Sequence, residues 1–479
     1  MTWLYVRGII ARPESPTVGR RWFGTRSAIQ LVIAMNDTHE SNDGAQGEPT
    51  GNGVNRRWFL GSAATTAAVG LAGCTNTDDG GDGSDGSDGD GGDGTDGGDG
   101  SSGGDGGSSD PLLIGGLFPT SGPYASAGQG MRQAFELAVG RFEDGVGGRE
   151  IETIVRDTAT APDTAVNEAT SLINEEGIDL IVGGFSSSVC LVLQDLAGRE
   201  EIPYFAGGGS TLKANGESCN AHSYYAYASG WQFSGAGVTA YERDILDSLF
   251  FIQADYAGGE GVYEGVTSVM ESETDADMMG RVLAPLGADD YSTQISKARD
   301  SGADAVWAAT VGADSIKLVK QAVSAGLTDE MEILVGVVGN SVGEALSDEE
   351  LGSIYGGANF YWTAEGSGDF SDEFRNDVGN PPEWWAASAF DATMEALTAV
   401  DENDGSVANA DIRPYIEERE FSWSRPDTSW RSCDHRAVQP YYLLEGNPSG
   451  SDSGEYWSII DDTGGEAIMR SCENTGCGL

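Results

Sequence analysis

Two serines stand where a chain can offer donors to a small ligand oxygen. Ser187 lies in Gly183-Gly184-Phe185-Ser186-Ser187-Ser188, after an apolar strand signal and at the start of a helical one. Backbone N–H groups there lack intrahelical partners and the helix dipole is positive. Ser210 and Thr211 close the run Gly207-Gly208-Gly209, whose glycines let the backbone approach a ligand closely. The same serines also suit helix N-caps. Neither has the trailing glycine of a Gly-x-Ser-x-Gly nucleophile elbow. His39, His222 and His435 show no metal-binding spacing, and the glycine-rich stretches match neither a P-loop nor a dinucleotide fingerprint. The expectation is ligand binding without catalysis, metal or cofactor.

Cysteine supplies the other chemistry, at positions 74, 190, 219, 433, 472 and 477. Cys74 ends Leu71-Ala72-Gly73-Cys74, after an apolar, small-residue stretch that begins at Asn55-Arg56-Arg57-Trp58-Phe59-Leu60. Its part after the arginines, Trp58 to Gly73, is 16 residues long, short of the about 20 that span a bilayer. Paired arginines, an apolar region and a small-residue cleavage site describe an export signal. The arginines resemble a twin-arginine signal and Leu-Ala-Gly-Cys resembles a lipobox, which implies a lipid on Cys74. A second pair, Arg20-Arg21, lacks a lipobox, and the polar stretch after Met35 suits a signal's first region, so translation starts at Met1 or Met35. An oxidising setting outside the cytoplasm favours disulfides. A Cys190–Cys219 bridge would brace the two serine loops. Cys433 would pair with Cys472 or Cys477, leaving one thiol over.

Residues 75–110 hold 15 Gly, 11 Asp, 6 Ser, 3 Thr, 1 Asn and no apolar side chain. They cannot bury a core and read as a disordered tether, spanning roughly 33 Å as a flexible coil. They lack the bidentate Glu of an EF-hand and the apolar residues of a calcium β-roll. The formal net charge is −51; residues 1–74 contribute +2 and the tether −11, which leaves −42 on residues 111–479. This argues against nucleic acid as a partner. Only four basic residues are lysines, Lys213, Lys297, Lys317 and Lys320, against 22 arginines. An acidic, lysine-poor surface reads as adapted to concentrated salt, which screens its self-repulsion.

The elements that must position the serines alternate. Apolar runs at 112–118, 151–155, 179–182 and 202–206 predict strands, and periodicity predicts helices over about 127–142 and 163–176. The series restarts with strands at 249–252, 282–283, 305–309 and 333–337, and helices at 258–271, 291–301 and 313–325. Two βαβ series predict α/β lobes with parallel sheets, and a ligand cleft at the strands' carboxyl ends.

Several fragments in order carry a resemblance: Pro119-Thr120-Ser121-Gly122 after the first strand, the Ser187 turn, Pro203 to Thr211, Asp255-Tyr256-Ala257-Gly258, Pro285 to Ser292, Ala303 to Val306 and Ala389 to Ala392. Over 111–445 the chain resembles a type I periplasmic solute-binding protein of the branched-chain amino acid, urea and amide class. The resemblance implies two Rossmann-like lobes with three crossovers, near 228, 362 and 438. Lobe 1 would be 111–228 plus about 362–438, and lobe 2 would be 229–361 plus about 439–479. It implies a monomer on the outer face of the cytoplasmic membrane, held by lipid on Cys74. There it would capture a small polar solute, an amino acid or a urea- or amide-like compound, and deliver it to an ABC permease. The alternatives are a ligand-sensing ectodomain and a surface hydrolase. Ligand contacts are implied at Ser187, Gly208, Ser210 and Thr211, with Tyr124, Asp255 and Tyr256 from the adjoining turns and Trp362 and Trp385 as cleft walls. The acid that holds an α-ammonium in the family's amino-acid binders is replaced by Val338, and expected aromatics by Ala127 and Val311. Asp255 or Glu365 would be the substitute acid.

Overall fold

The computed structural model describes residues 110–417 and 419–479. The export signal, Cys74 and nearly all of the tether lie outside them. The first sheet contains β1 (Leu112–Phe118), β2 (Ile151–Asp157), β3 (Leu180–Gly183), β4 (Tyr204–Ala206) and β5 (Ser223–Tyr225). Its order is β2-β1-β3-β4-β5 and every pair is parallel. Between the strands run α1 (Ala125–Gly140), α2 (Pro162–Ser171) and α3 (Ser187–Glu200). β1 is apolar along its whole length because both faces are covered. Leu112, Ile114 and Phe118 pack with Met131 and Phe135 of α1, while Leu117 joins Ala165 of α2 and Leu193 of α3 on the opposite face.

The second lobe begins with α4 (Ser234–Glu242) and builds β6 (Ser248–Ala254), α5 (Ala257–Glu273), β7 (Asp277–Ala284), α6 (Ser292–Ser301), β8 (Ala305–Ala309), α7 (Ala313–Ser324), β9 (Glu332–Val335), α8 (Asn340–Ala345), α9 (Asp348–Leu351) and β10 (Tyr355–Ala358). β7, at the sheet edge, alternates buried and exposed residues and leaves Met279 and Leu283 open to solvent. β6, paired between β7 and β8, shows the two-residue period of a covered strand: Leu249 and Phe251 enter one core, Phe250 and Ile252 the other.

The chain then returns to lobe 1 as α10 (Gly368–Val378), α11 (Trp384–Asp401) and α12 (Asn409–Ile416), with α11 against α1, β3 and β4. Three very short antiparallel strands follow, β11 (Glu420–Phe421), β12 (Thr428–Trp430) and β13 (Ala437–Val438). Finally β14 (Tyr441–Gly446) and β15 (Trp457–Thr463) complete the second sheet, in the order β15-β14-β10-β9-β8-β6-β7, with the last two strands antiparallel.

The chain passes between the sheets at 226–233, 359–367 and 439–440, and buried polar groups tie these passages together. Gln439 Nε2 donates to Ala226 O (3.2 Å), and Asn359 Nδ2 donates to Gln439 Oε1 (2.9 Å). Arg425 Nη1 donates to Asn359 O (3.2 Å) and to Gln439 Oε1. The Arg425 charge is balanced by Asp391 of α11 at 3.1 Å, both side chains being 1% exposed. Ser424 supplies two further donors to that carboxylate.

Two expectations are corrected. Cys190 forms no bridge to Cys219: it lies on the inner face of α3, 0% exposed, among Tyr204, Tyr225 and Gly209. Cys219 pairs with Cys477 and Cys433 with Cys472. Nor does all of 439–479 stay with lobe 2. After β15 the tail comes back to the loop that follows β4, where Gly216 lies against Thr475 O.

Candidate ligand cleft

The turn after β3 places its serines by a division of labour. Ser186 has extended backbone and its Oγ accepts from Val189 N at 3.4 Å, so Ser186 caps α3. Ser187 is the first helical residue, buried and relieved of the capping role. The glycine loop after β4 folds against this turn. Gly209 N donates to Phe185 O at 3.1 Å. A side chain at Gly208 would meet Phe185 O at 2.5 Å, so Gly208 is required for the close approach of two loops. Ser210 then faces the same cavity as Ser187.

That cavity lies between the lobes and, counting the solvent at its mouth, holds about 500 Å³ of space free of atoms, of which the centre of a water molecule can occupy about 40 Å³. Lobe 1 contributes Tyr124, Phe185, Ser187, Gly209, Ser210 and Trp384. Tyr227 and Phe233 come from the first crossover, and lobe 2 contributes Tyr256, Val262, Thr310, Val311 and Val337. Its aromatic rings interlock: Trp384 stacks on Phe185 (5.6 Å between centroids) and on Tyr227 (4.7 Å), and Tyr124 meets Phe185 edge-on at 4.8 Å. The Tyr124 hydroxyl is buried and makes no hydrogen bond of ordinary geometry among the described residues. Burial and the neighbouring Tyr256 hydroxyl push its ionisation far above the usual range, so it stays neutral, a donor shared between Tyr256 and the cavity. No Asp, Glu, Lys or Arg is among the described lining residues.

Of the residues singled out by sequence, the cleft gathers Ser187, Ser210, Tyr124 and Tyr256, with Val311. It leaves out the others. Gly208 is packed behind the wall, Thr211 borders a separate cavity, and Asp255 and Glu365 are exposed to solvent. Val338 is buried in the second-lobe core and its neighbour Val337 lines the cleft. Trp385 turns into an adjacent groove, while Trp362 packs outside under Arg375. The unforeseen residues are chiefly Phe185, Tyr227, Phe233 and Trp384; Trp385, expected from the sequence as a cleft wall, yields that place to the preceding Trp384, whose ring faces the cleft.

Residues 111–453 match the family model described as periplasmic binding protein. The chain belongs to the periplasmic binding protein family. It is 24% identical over 388 residues to Leu/Ile/Val-binding protein homolog 4 of Brucella abortus (strain 2308), covering 76% of this chain and 93% of that one. The amino acid ABC transporter substrate-binding protein of Pseudomonas fluorescens Pf-5 has a similar fold (TM-score 0.70, 20% identity, 77% of this chain and 99% of that one). So does a solute-binding protein of R. palustris solved in complex with benzoate (TM-score 0.64, 21% identity, 77% and 100%).

In this periplasmic binding protein the lobes also meet beside the cleft. Glu383, just before α11, accepts from Ser341 N of α8 at 2.6 Å, and its Oε2 has no partner among the described residues. Burial pushes this carboxyl up to about 7, against the pull of the α8 donors. Ser341 of this contact is also the centre of Gly339-Asn340-Ser341-Val342-Gly343, a Gly-x-Ser-x-Gly sequence. Neither His222 nor His435 lines that groove. His435 Nε2 instead pairs with Glu417 at 3.0 Å, and its ring stacks on Tyr224.

Proposed function

We propose that this protein is an extracytoplasmic receptor that captures a small carboxylate- or amide-bearing solute with an apolar, preferably aromatic body. In this reading it is a binding protein and not an enzyme, hands the solute to an ABC permease, and is held at the membrane by lipid on Cys74. One observation carries the solute class: the cleft wall combines six aromatic residues with hydroxyl donors and no charged side chain among its described residues. A ligand oxygen finds Ser187, Ser210, the Tyr124 hydroxyl and the positive end of α3. An α-ammonium would touch no carboxylate in the wall, since Asp314, whose charge reaches Tyr124 and Tyr256, is not among the lining residues, and burying an unpaired cation is costly. The Brucella abortus relative is named for Leu, Ile and Val, while the R. palustris neighbour holds benzoate. The wall seen here favours the second kind of ligand.

Calorimetric titration of ligand-free protein tests the class. Benzoate-like carboxylates should bind at least about tenfold tighter than L-leucine, a difference of about 1.4 kcal/mol. Tighter binding of L-leucine would reject it. Cys74→Ser tests the anchor: the variant should leave the membrane fraction, and retention there would place the anchor elsewhere.

A further inference from the structure

We propose a binding site for a single halide ion, chloride in saline surroundings, behind the glycine loop at the junction of lobe 1, the first crossover and the C-terminal tail. A small cavity lies there, with about 20 Å³ available to the centre of a water-sized particle. That exceeds the 10–15 Å³ or so that one water needs. Arg436 lines it and is 1% exposed. Its Nη1 donates to Gly209 O (2.9 Å) and Tyr227 O (2.7 Å), and its guanidinium lies over the Tyr225 ring. Its Nε and Nη2 are buried without a partner among the described residues.

The other fully buried arginine, Arg425, has Asp391 beside it. Arg436 has no carboxylate in ion-pair range among the described residues, because the lining acid Asp434 is engaged by both Nε and Nη2 of Arg431. Arg470 also borders the cavity, so its wall holds three guanidinium groups and one carboxylate. Trp231 adds a third buried donor without a partner, its Nε1. The Asn215 Oδ1, likewise without a partner, is the opposing acceptor. Unmet donors thus outnumber unmet acceptors three to one, in a space with excess positive charge and room for one particle. A monatomic anion fits that balance: it accepts from several donors at once and offsets a buried cation. Ion binding to the folded state alone would stabilise it, even at a weak site when the ion is in large excess. Arg436 also holds the carbonyls of two cleft residues, so the ion would fix the glycine loop from behind.

Bromide is the probe. Crystals of the protein soaked in sodium bromide should show an anomalous peak within hydrogen-bond reach of Arg436 and Trp231. In solution, replacing gluconate by chloride at constant ionic strength should raise the melting temperature saturably by several degrees. Trp231→Phe, which removes one donor and keeps a ring, should lose about half of that rise or more. A fully occupied water or an empty cavity, with ordered bromide elsewhere, would overturn the site. So would equal chloride responses of Trp231→Phe and the unaltered protein.

Discussion

Ser187 is left for a ligand by the residue before it, which takes the cap of α3. Ser187→Ala should therefore weaken solute binding by the cost of a hydrogen bond to a charged group. That is about 1.5–3 kcal/mol, or roughly 10- to 150-fold, with the melting temperature of ligand-free protein nearly unchanged. Loss of stability without loss of affinity would return Ser187 to a structural role. Glu383 makes a second prediction. Its carboxyl sits near 7 while the lobes are joined, and opening them returns it to water and an ordinary value near 4.5. The joined state therefore binds the proton more tightly, and closure is favoured at low pH. Glu344 repels its charge across the contact, Ser341 and Asn340 donate to it, and Tyr361 feels the same carboxylate. Apparent solute affinity should fall between about pH 4.5 and 7 and then level off; Glu383→Gln should flatten the profile. An unchanged profile in that variant would remove Glu383 from closure. At this scale the cleft was partly legible. Ser187 and Ser210 stood out because serine after an apolar run is conspicuous. Phe185 and Trp384 did not, because an aromatic residue reads the same whether it fills a core or walls a cavity. The choice between Trp384 and Trp385 is a turn of about 100° on one helix.

The helices and strands that hold the cleft follow from covered sheets, whose apolar runs and helical periods are strong local signals. Most of the first βαβ series and of the second was legible for that reason. β11, β12 and β13 were not: strands of two or three residues carry almost no pattern, and only partners distant in sequence define them. The final strands β14 and β15 were hidden similarly, since each finds its place beside elements laid down long before. The tail shows the same limit through its cysteines. Cys219 and Cys477 are 258 residues apart in sequence, Cys433 and Cys472 only 39, and no spacing rule chooses such pairings. Cys219–Cys477 straps the tail to the loop behind the cleft, and Cys433–Cys472 straps it to the segment between β12 and β13. Cys219→Ser should cost about 2–5 kcal/mol of stability, read as a lower melting temperature. Because neither cysteine lines the cleft, solute affinity should change by less than about threefold. A protein as stable as the parent would show that the tail is held by packing alone.

Across the whole molecule, charge and closure decide behaviour. Residues 111–479 carry a formal −42, and the reading of this composition as salt-adapted makes a quantitative demand. Self-repulsion falls as the screening length shrinks from about 10 Å at 0.1 M to about 3 Å at 1 M. The melting temperature in KCl should therefore climb steeply toward molar salt, beyond any saturable contribution of a bound halide. A flat curve would contradict salt adaptation. One apolar cluster runs through both lobes, from Leu112 and Phe135 to Phe251 and Trp307, and the buried Arg425–Asp391 pair sits where the crossovers converge. Both join the two sheets at a common base, and the proposed function has the lobes close over that base on whatever fills the aromatic cavity. What fills it can be read directly, by mass spectrometry of small molecules released on denaturing protein purified from its own source. The cleft described here predicts one dominant organic solute, near one per chain, bearing a carboxylate or amide on an apolar body and no ammonium group. Recovery of a free α-amino acid at that stoichiometry, or of no solute from a protein that also binds none, would contradict it.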